Sequence, residues 1–364
     1  MTEGTSTGVP EDFAARLLGV FNSGMLTLMI GIGHRTHLFD VMATLPPSTS
    51  SEIAEAAGLD ERYVREWLGA MTTGGIVNHD PASLTFVLPP EHAVSVTRAA
   101  GSGNLAVMAQ WVGLLAQVED KVVDCFDHGG GVPYDAFPQR LWAVQAEDSG
   151  VRYDSNLIEV ALPLVPGLVE RLQQGIDVAD VGCGSGHAIN LMAQAFPVSH
   201  FVGLDSSVPG LAAARAETQR LGVTNATFVP QDAASLEGSG QYDLITTFDA
   251  VHDQARPDLV LAGIARLLTP GGIYLCVDIA ASSVLAENID HPLGPFLYSA
   301  SCLNCMTVSL AEGGMGLGSV WGEQLALQML AGAGFTSVEV AHVEGDFLNN
   351  YYIATKEQGS SAGT

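Results

Sequence analysis

Residues 180–186 read Asp-Val-Gly-Cys-Gly-Ser-Gly, at the end of a candidate strand over 178–182. Glycine has no side chain, so this loop can turn sharply and let a ligand lie against its backbone. A candidate helix begins at His187, and the amide groups at the start of a helix favour an electron-rich ligand. The stretch therefore predicts a strand, loop and helix that together bind a small molecule.

The glycine spacing separates two kinds of nucleotide-binding loop. A dinucleotide loop, Gly-x-Gly-x-x-Gly, would place its third glycine at His187, so an NAD-dependent oxidoreductase is disfavoured. Here the third glycine is Gly186, and Asp180 stands two residues before Gly182. This acid-x-Gly-x-Gly-x-Gly pattern resembles motif I of class I methyltransferases, which use S-adenosylmethionine (SAM).

Acidic residues at the ends of later strands extend the resemblance over 166–357. Asp205 ends the second candidate strand, where a carboxylate can accept two hydrogen bonds from a ribose diol. Asp232 ends the third, at the position of the family's adenine-binding acid. Taken alone, an acid at either position is more often a solvated loop residue or a helix cap than a ligand-binding residue. The candidate strands are 178–182, 201–204, 226–229, 243–248, 272–277, 336–343 and 350–355.

The resemblance implies an α/β fold, a Rossmann-like seven-stranded methyltransferase domain that binds SAM. Ligands of open parallel sheets lie at the carboxyl ends of the strands, and the implied cofactor-binding residues occupy those ends. They are Asp180, Gly182, Gly184, Gly186, Asp205, Ser206, Asp232, Ala233 and Phe248.

A second motif indicates the catalytic residues. Residues 251–254 read Val-His-Asp-Gln, similar to the His-Asp-Trp motif of small-molecule O-methyltransferases that carry an N-terminal winged helix. In that family the histidine is the general base, which suits an imidazole that titrates near neutral pH. The resemblance implies that His252 is the base and that Asp278, after the fifth strand, flanks it. The alternative for His252 is a loop histidine without a catalytic role.

Three positions depart from the family pattern. Gln254 replaces the tryptophan, and Phe248 replaces a lysine found in some members. The family's second flanking acid would fall near Val320, where Glu323 is the nearest candidate. These departures bear on the strength of the base, whereas the cofactor motifs are intact.

The N-terminal part predicts a separate, mainly helical domain. A long apolar helix from Phe13, three shorter helical stretches and two short strands around 78–83 follow the winged-helix order. We expect a winged-helix-like dimerisation domain, a helical linker, the methyltransferase domain and a disordered tail. Their expected ranges are 1–100, 101–165, 166–357 and 358–364.

Charge argues against nucleic acid as a partner. The chain has 14 basic and 40 acidic residues, a formal net charge of −26, and the winged-helix stretch 50–80 has six acids against two arginines. A groove-binding surface needs the opposite sign, so dimerisation is the better interpretation of this domain. Three charge-free runs that approach membrane length, 17–33, 99–118 and 291–311, are broken by polar residues, Gly or Pro, which disfavours membrane insertion, and no signal peptide is evident.

The cysteines predict neither disulfides nor a metal site. Five scattered cysteines indicate reduced thiols and a cytoplasmic protein. Cys302 and Cys305 form a single Cys-x-x-Cys without the further ligands of a zinc site, so no metal is expected.

Two functions remain in competition. The first is methyl transfer from SAM to an oxygen atom of a small, aromatic or lipid-like acceptor, carried out by a homodimer. The second is a regulator that senses SAM or its product without turnover. The apolar and aromatic segment Ala280–Gly322 forms either the acceptor wall or a dimer contact, or both.

Overall fold

The computed structural model describes residues 12–344 and 346–357. Packing divides the chain into two compact units between Leu114 and Leu115. The expected linker, 101–165, is therefore shared between the units, and the expected disordered tail, 358–364, lies outside the described residues.

The first unit is mainly helical. Its α-helices are α1 (Phe13–Arg35), α2 (Leu38–Met42), α3 (Ser50–Ala57), α4 (Glu61–Thr73), α5 (Pro90–Val96) and, at the boundary, α6 (Ala109–Leu115). Side chains cap the N-termini of both helices of the helix–turn–helix pair. Thr49 and Glu52 form a capping box on α3, and Asp60 caps α4. The indole of Trp67 donates to the Met29 carbonyl at 2.9 Å within the buried core.

The wing is a two-stranded antiparallel hairpin of β1 (Asn78–Asp80) and β2 (Thr85–Val87). The sequence placed the turn over 78–83, but Asn78 already lies in the first strand. Asp80 explains the shift, because its carboxylate accepts the amide of Ala82 and the hydroxyl of Ser83 and so closes the turn after the strand. This unit has the predicted winged-helix architecture.

Helix α1 leaves much of its apolar surface uncovered in the single chain. Phe13, Leu18, Phe21 and Met25 are each more than 60% exposed. By length and composition α1 could also cross a membrane, and none of its most apolar window is buried.

The second unit contains the remaining helices around a seven-stranded sheet. They are α7 (Glu119–His128), α8 (Arg140–Asn156), α9 (Leu168–Gln174), α10 (His187–Ala195), α11 (Val208–Leu221), α12 (Pro257–Leu267), α13 (Gly294–Ala300), α14 (Met306–Ala311) and α15 (Gly322–Gly332). A π-helical turn over Ser301–Cys305 joins α13 to α14.

The sheet confirms all seven predicted strands. They are β3 (Asp177–Val181), β4 (His200–Asp205), β5 (Ala226–Pro230), β6 (Tyr242–Phe248), β7 (Leu268–Ile279), β8 (Ser337–Ala341) and β9 (Asn349–Thr355). Their order is β5-β4-β3-β6-β7-β9-β8; β3 to β7 run parallel, and β9 is antiparallel to both of its neighbours. The strand order reverses between β3 and β6, which is where open α/β sheets bind ligands.

Two apolar layers enclose this sheet. Val178 of β3 packs with α9, α10 and α11 on one face, whereas Ala179 and Val181 pack with α12 and α15 on the other. Strand alternation thus buries both faces and leaves the carboxyl ends to carry polar side chains.

Candidate active site

The glycine loop follows β3, as the sequence predicted. Gly182, Gly184 and Gly186 have φ of 77°, 54° and 71°, a backbone region that glycine adopts without strain. A Cβ atom on Gly182 would lie 2.6 Å from that of Ala250, and one on Gly186 would lie 2.4 Å from the Phe228 ring. Gly184 faces open space. The outer glycines therefore permit close packing, and the middle one presents bare backbone.

Asp205, at the end of β4, holds this loop in place. Its Oδ2 accepts the Gly184 amide at 2.7 Å, and its Oδ1 accepts the Ser207 amide at 2.7 Å. Each carboxylate oxygen keeps a further lone pair for a ligand hydroxyl. Ser206, which lies between Asp205 and Ser207 in the sequence, is exposed. The structure thus brings Asp205 and the glycine loop together.

Asp180 is the buried member of the predicted set. It is 2% exposed, and its Oδ1 accepts the Thr246 hydroxyl at 2.8 Å. Burial raises the pKa of Asp180 to about 7, against the opposing effect of this hydrogen bond. Its contact with Thr246 links β3 to β6 below the loop.

Asp232 and Phe248 have more local surroundings. Asp232 is exposed and caps the turn over Ala233–Ser235, accepting the Ala234 amide at 2.9 Å. Phe248 is half-buried at the end of β6. Its ring packs edge-on against that of Tyr153, with 5.1 Å between the two ring centroids. The structure therefore gives Asp232 a capping role, and adenine binding by Asp232 and Ala233 stays a prediction.

His252 and Asp278 form a buried pair. The His252 Nδ1 lies 2.7 Å from the Asp278 Oδ1, and the two residues are 4% and 0% exposed. An ionised carboxylate only accepts hydrogen bonds, so Nδ1 donates and Nε2 is left to receive a proton. The sequence predicted this partnership from two separate motifs.

Near Val320, where a second acid flanking His252 was expected, the structure instead brings an indole to Asp278. The Trp321 Nε1 donates to the Asp278 Oδ1 at 3.2 Å, and the Ile279 amide donates to the same oxygen at 2.8 Å. Glu323 instead accepts from Asn350 at 3.4 Å. The sequence placed Trp321 in the apolar and aromatic segment Ala280–Gly322 but did not predict its contact with Asp278, because the family pattern directs attention to carboxylates.

The surroundings of His252 favour the protonated, charged form of its imidazole. Burial lowers the pKa of His252, but Asp278 and then Cys305 oppose this, and the pKa lies well above its usual value. Cys305 belongs to the π-helical turn, so the segment Ala280–Gly322 reaches the histidine. Sequence reasoning treated Cys305 as a small packing residue, and its proximity depends on tertiary structure.

Asp253 and Tyr134 were also missed. The Tyr134 hydroxyl lies 3.5 Å from the Asp253 Oδ2, and Gln145 donates to the same hydroxyl at 3.2 Å. Burial raises the pKa of Asp253 to about 6, which His252 partly offsets. Asp253 follows His252 in the recognised motif, and that position was the only signal available in the sequence. Across residues 12–344 and 346–357, no three His, Cys, Asp or Glu residues are arranged to hold a metal ion.

Two protein-family models match the chain. Residues 24–98 match the Rv2258c-like winged HTH domain, and residues 172–316 match a methyltransferase domain. The second match contains the glycine loop, Asp205 and the His252–Asp278 pair. The chain carries a methyltransferase domain of the SAM-dependent class.

Curated relatives align with part of this methyltransferase domain. A fatty-acid O-methyltransferase of Mycolicibacterium smegmatis is 31% identical over 106 residues, 29% of this chain and 38% of the relative. A ubiquinone biosynthesis O-methyltransferase of Bordetella avium is 35% identical over 100 residues, 27% of this chain and 41% of the relative. The matched part spans less than half the length of either relative.

Solved structures show the same fold over almost the whole chain. Human N-acetylserotonin methyltransferase in complex with SAM has a TM-score of 0.66 at 17% identity, covering 96% of this chain and 100% of that one. An O-methyltransferase family protein of Burkholderia thailandensis has a TM-score of 0.66 at 15% identity, covering 95% and 98%. These similarities confirm the expected combination of domains.

The residues of the methyltransferase domain fit SAM. The open face of Gly184 leaves room that a side chain would fill, and Asp205 beside it offers acceptors for a ribose. When bound, SAM supplies an electrophilic methyl group. The protein then has to align the acceptor and remove its proton.

Proposed function

We propose that the protein transfers a methyl group from SAM to a hydroxyl oxygen of a small acceptor. The observation that carries this proposal is the His252–Asp278 pair at 2.7 Å. His252 follows β6, which neighbours the glycine-loop strand β3, and Asp278 lies near the end of β7, the next strand in the sheet. Parallel strands present their carboxyl ends at one edge of the sheet, so the base and the cofactor loop share that edge.

In this mechanism His252 takes the proton from the acceptor hydroxyl. Asp278 orients the ring through Nδ1 and stabilises the imidazolium that forms, while Trp321 and the Ile279 amide hold Asp278 in place. The glycine loop and Asp205 hold SAM, with Asp180, Ser206, Asp232, Ala233 and Phe248 as further cofactor-binding candidates. Proximity of donor and acceptor supplies much of the remaining rate enhancement.

The acceptor is proposed to be aromatic or lipid-like. The segment Ala280–Gly322 brings Cys305 to the histidine and adds the apolar helices α13 and α14. An apolar wall with a few polar groups suits such molecules. Fatty acids belong among the compounds tested, because one relative carries that substrate in its name.

The test is a screen with labelled SAM, followed by variants. Phenols, other hydroxy-aromatics and fatty acids are tested for methylation at oxygen. His252→Ala should lower turnover of a genuine acceptor by about 10²–10⁴-fold while SAM affinity is unchanged. Asp278→Asn should cost less, because an amide still holds the ring.

His200→Ala is the matched control, since that histidine lies in the same unit and is highly exposed. Full turnover by His252→Ala would show that catalysis proceeds without this base. Methylation at nitrogen or carbon alone would overturn the choice of oxygen.

We also propose that the active form is a cytoplasmic homodimer. The exposed apolar face of α1 and the acidic character of the winged helix support self-association over nucleic-acid binding. The alternative of a SAM-sensing regulator without turnover has no support from the relatives described above, which are methyltransferases or belong to an O-methyltransferase family.

A further inference from the structure

A small cavity lies at the carboxyl ends of β6 and β7, beside α8. Leu157, Val277 and other side chains contribute apolar walls. The residues of the lining that carry polar side-chain groups are Arg152, Tyr153, Asn156, Asp249, Asp346, Asn349 and Tyr351. The cavity volume is about 30 Å³. That is room for about two waters or one small polar head group. His252 and Asp278 are not part of this lining.

Asp249 is held in this cavity by a strained backbone and one ion pair. Its φ is 51°, a left-handed conformation that is uncommon outside glycine and that clusters at functional sites. Its Oδ2 accepts from the Arg152 Nη2 at 3.3 Å. Its Oδ1 is buried and has no hydrogen-bond partner among residues 12–344 and 346–357. The free oxygen is therefore an acceptor that lacks a donor.

Asn349 supplies a second acceptor of the same kind. Its Nδ2 donates to both carboxylate oxygens of Asp346, at 3.2 and 3.0 Å, which fixes the orientation of the amide. Asp346 is itself held by the Tyr351 hydroxyl at 2.7 Å. The Asn349 Oδ1 is buried and unpaired within the described part of the chain, and the residue is only 4% exposed. Native proteins rarely leave such oxygens unsatisfied.

The charges around the cavity select the sign of a ligand. Arg152 already faces two carboxylates, with Asp148 at 3.8 Å and Asp249 at 3.3 Å, and Asp346 adds another negative charge. These three carboxylates outnumber the single arginine, so the cavity would repel a carboxylate ligand. A cation with several N–H groups would instead satisfy both free oxygens and offset the charge.

We propose that Asp249 and Asn349 bind the ammonium group of a small molecule. Ala250 packs against Gly182, so Asp249 lies one residue from a contact with the glycine loop. The ammonium could then belong either to the amino-acid end of SAM or to the methyl acceptor. In the second case the inference rests on the proposed function.

Binding measurements without turnover distinguish the two sources. In the first arm, calorimetry compares S-adenosylhomocysteine with S-(5′-adenosyl)-4-thiobutyrate, which lacks only the ammonium. In the second arm, protein saturated with S-adenosylhomocysteine is titrated with tyramine and with 4-ethylphenol, which differ by the same group. We expect the ammonium compound of one arm to bind at least tenfold more tightly, and Asp249→Asn to remove that preference.

Asp243→Asn is the matched control, because Asp243 lies on β6, the strand that Asp249 follows, and likewise pairs with an arginine, Arg171, at 3.4 Å. It should leave the preference unchanged. The arm that responds to Asp249→Asn identifies the source. No ammonium preference in either arm, or a preference equal in Asp249→Asn and wild type, would overturn the proposal and leave water as the occupant.

Wild-type protein provides a second measurement if Asp249→Asn does not fold. Burial raises the pKa of Asp249 to about 6, against Arg152. The other charged or titratable groups around it include Asp148, Asp278, His252 and, in the cavity lining, Asp346. The ammonium preference should therefore fall as the pH drops below about 6. A preference that persists unchanged at pH 5 would contradict the role of Asp249. Failure of the acceptor screen alone would refute methyl transfer and leave this binding result intact.

Discussion

At the scale of single residues, the surroundings of His252 set the pH at which it can act. The imidazole accepts a proton only when it is neutral, and Asp278 and Cys305 both favour its charged form. Burial alone would have the opposite effect. The pair is therefore a base with high proton affinity whose useful form becomes scarce as the pH falls.

The raised pKa of His252 predicts the direction of the pH–rate profile. On a confirmed acceptor, kcat/KM should fall as the pH drops, with a midpoint above the usual histidine value of about 6.5. Asp278→Asn removes the largest favourable charge, so the midpoint should move to lower pH. Rates measured from pH 5 to 10 in wild type and variant check this. A midpoint below 6.5 in wild type would contradict the assignment.

At the scale of elements, the glycine loop combines two requirements in one turn. Gly184 has an open face, which the proposed SAM site requires, whereas Gly186 packs closely against Phe228. Both have positive φ, so alanine at either position pays backbone strain of about 1–2 kcal/mol. Beyond this strain, alanine at position 184 should reduce ligand affinity, whereas alanine at position 186 should reduce thermal stability.

We predict that Gly184→Ala weakens SAM binding by more than tenfold while it lowers the melting temperature only modestly. Gly186→Ala should lower the melting temperature further, because its Cβ would collide with the Phe228 ring. Calorimetry with S-adenosylhomocysteine and thermal unfolding on the same samples separate the two effects. Equal affinity in wild type and Gly184→Ala would exclude close approach of the ligand to this residue.

Helix α1 exposes a row of large apolar side chains, which another protein surface could cover. We predict that Leu18→Asp combined with Phe21→Asp converts a dimer into a monomer, since charge at these exposed apolar positions opposes burial. Light scattering at micromolar concentration measures the change. Val94→Asp, at a position 61% exposed in the same unit, is the control. A monomeric wild-type protein would refute self-association, and recruitment to lipid vesicles would indicate a membrane surface instead.

At the scale of the whole molecule, net charge governs long-range interactions. The formal charge of −26 repels phosphate backbones, and the winged helix adds six acids against two arginines over 50–80. We predict no binding to duplex DNA by fluorescence anisotropy, even at 20 mM salt, with or without SAM. Saturable binding at low salt would show that the winged helix retains a nucleic-acid surface.

Local sequence patterns predicted the elements, and the family resemblance predicted how they assemble. The seven strand candidates and the order of the winged-helix elements came from apolar patterns, whereas the single seven-stranded sheet was implied by the resemblance to class I methyltransferases. The His252–Asp278 pair followed from two motifs whose strands are neighbours. Trp321, Cys305 and Asp249 could not be predicted in the same way, because their roles depend on tertiary contacts across loops and helices that carry no spacing rule.

The position of β9 has a consequence for synthesis of the protein. This strand follows the other eight in the chain, yet it lies between β7 and β8 and pairs with both. While the ribosome is still translating residues before 349, the edge of β7 that carries Asp278 has no neighbour on that side. In the nascent chain this edge of β7 is therefore open to pairing with other chains, and so to aggregation, until β9 emerges. A stop codon before Asn349 would yield a chaperone client or protease substrate rather than a shortened enzyme.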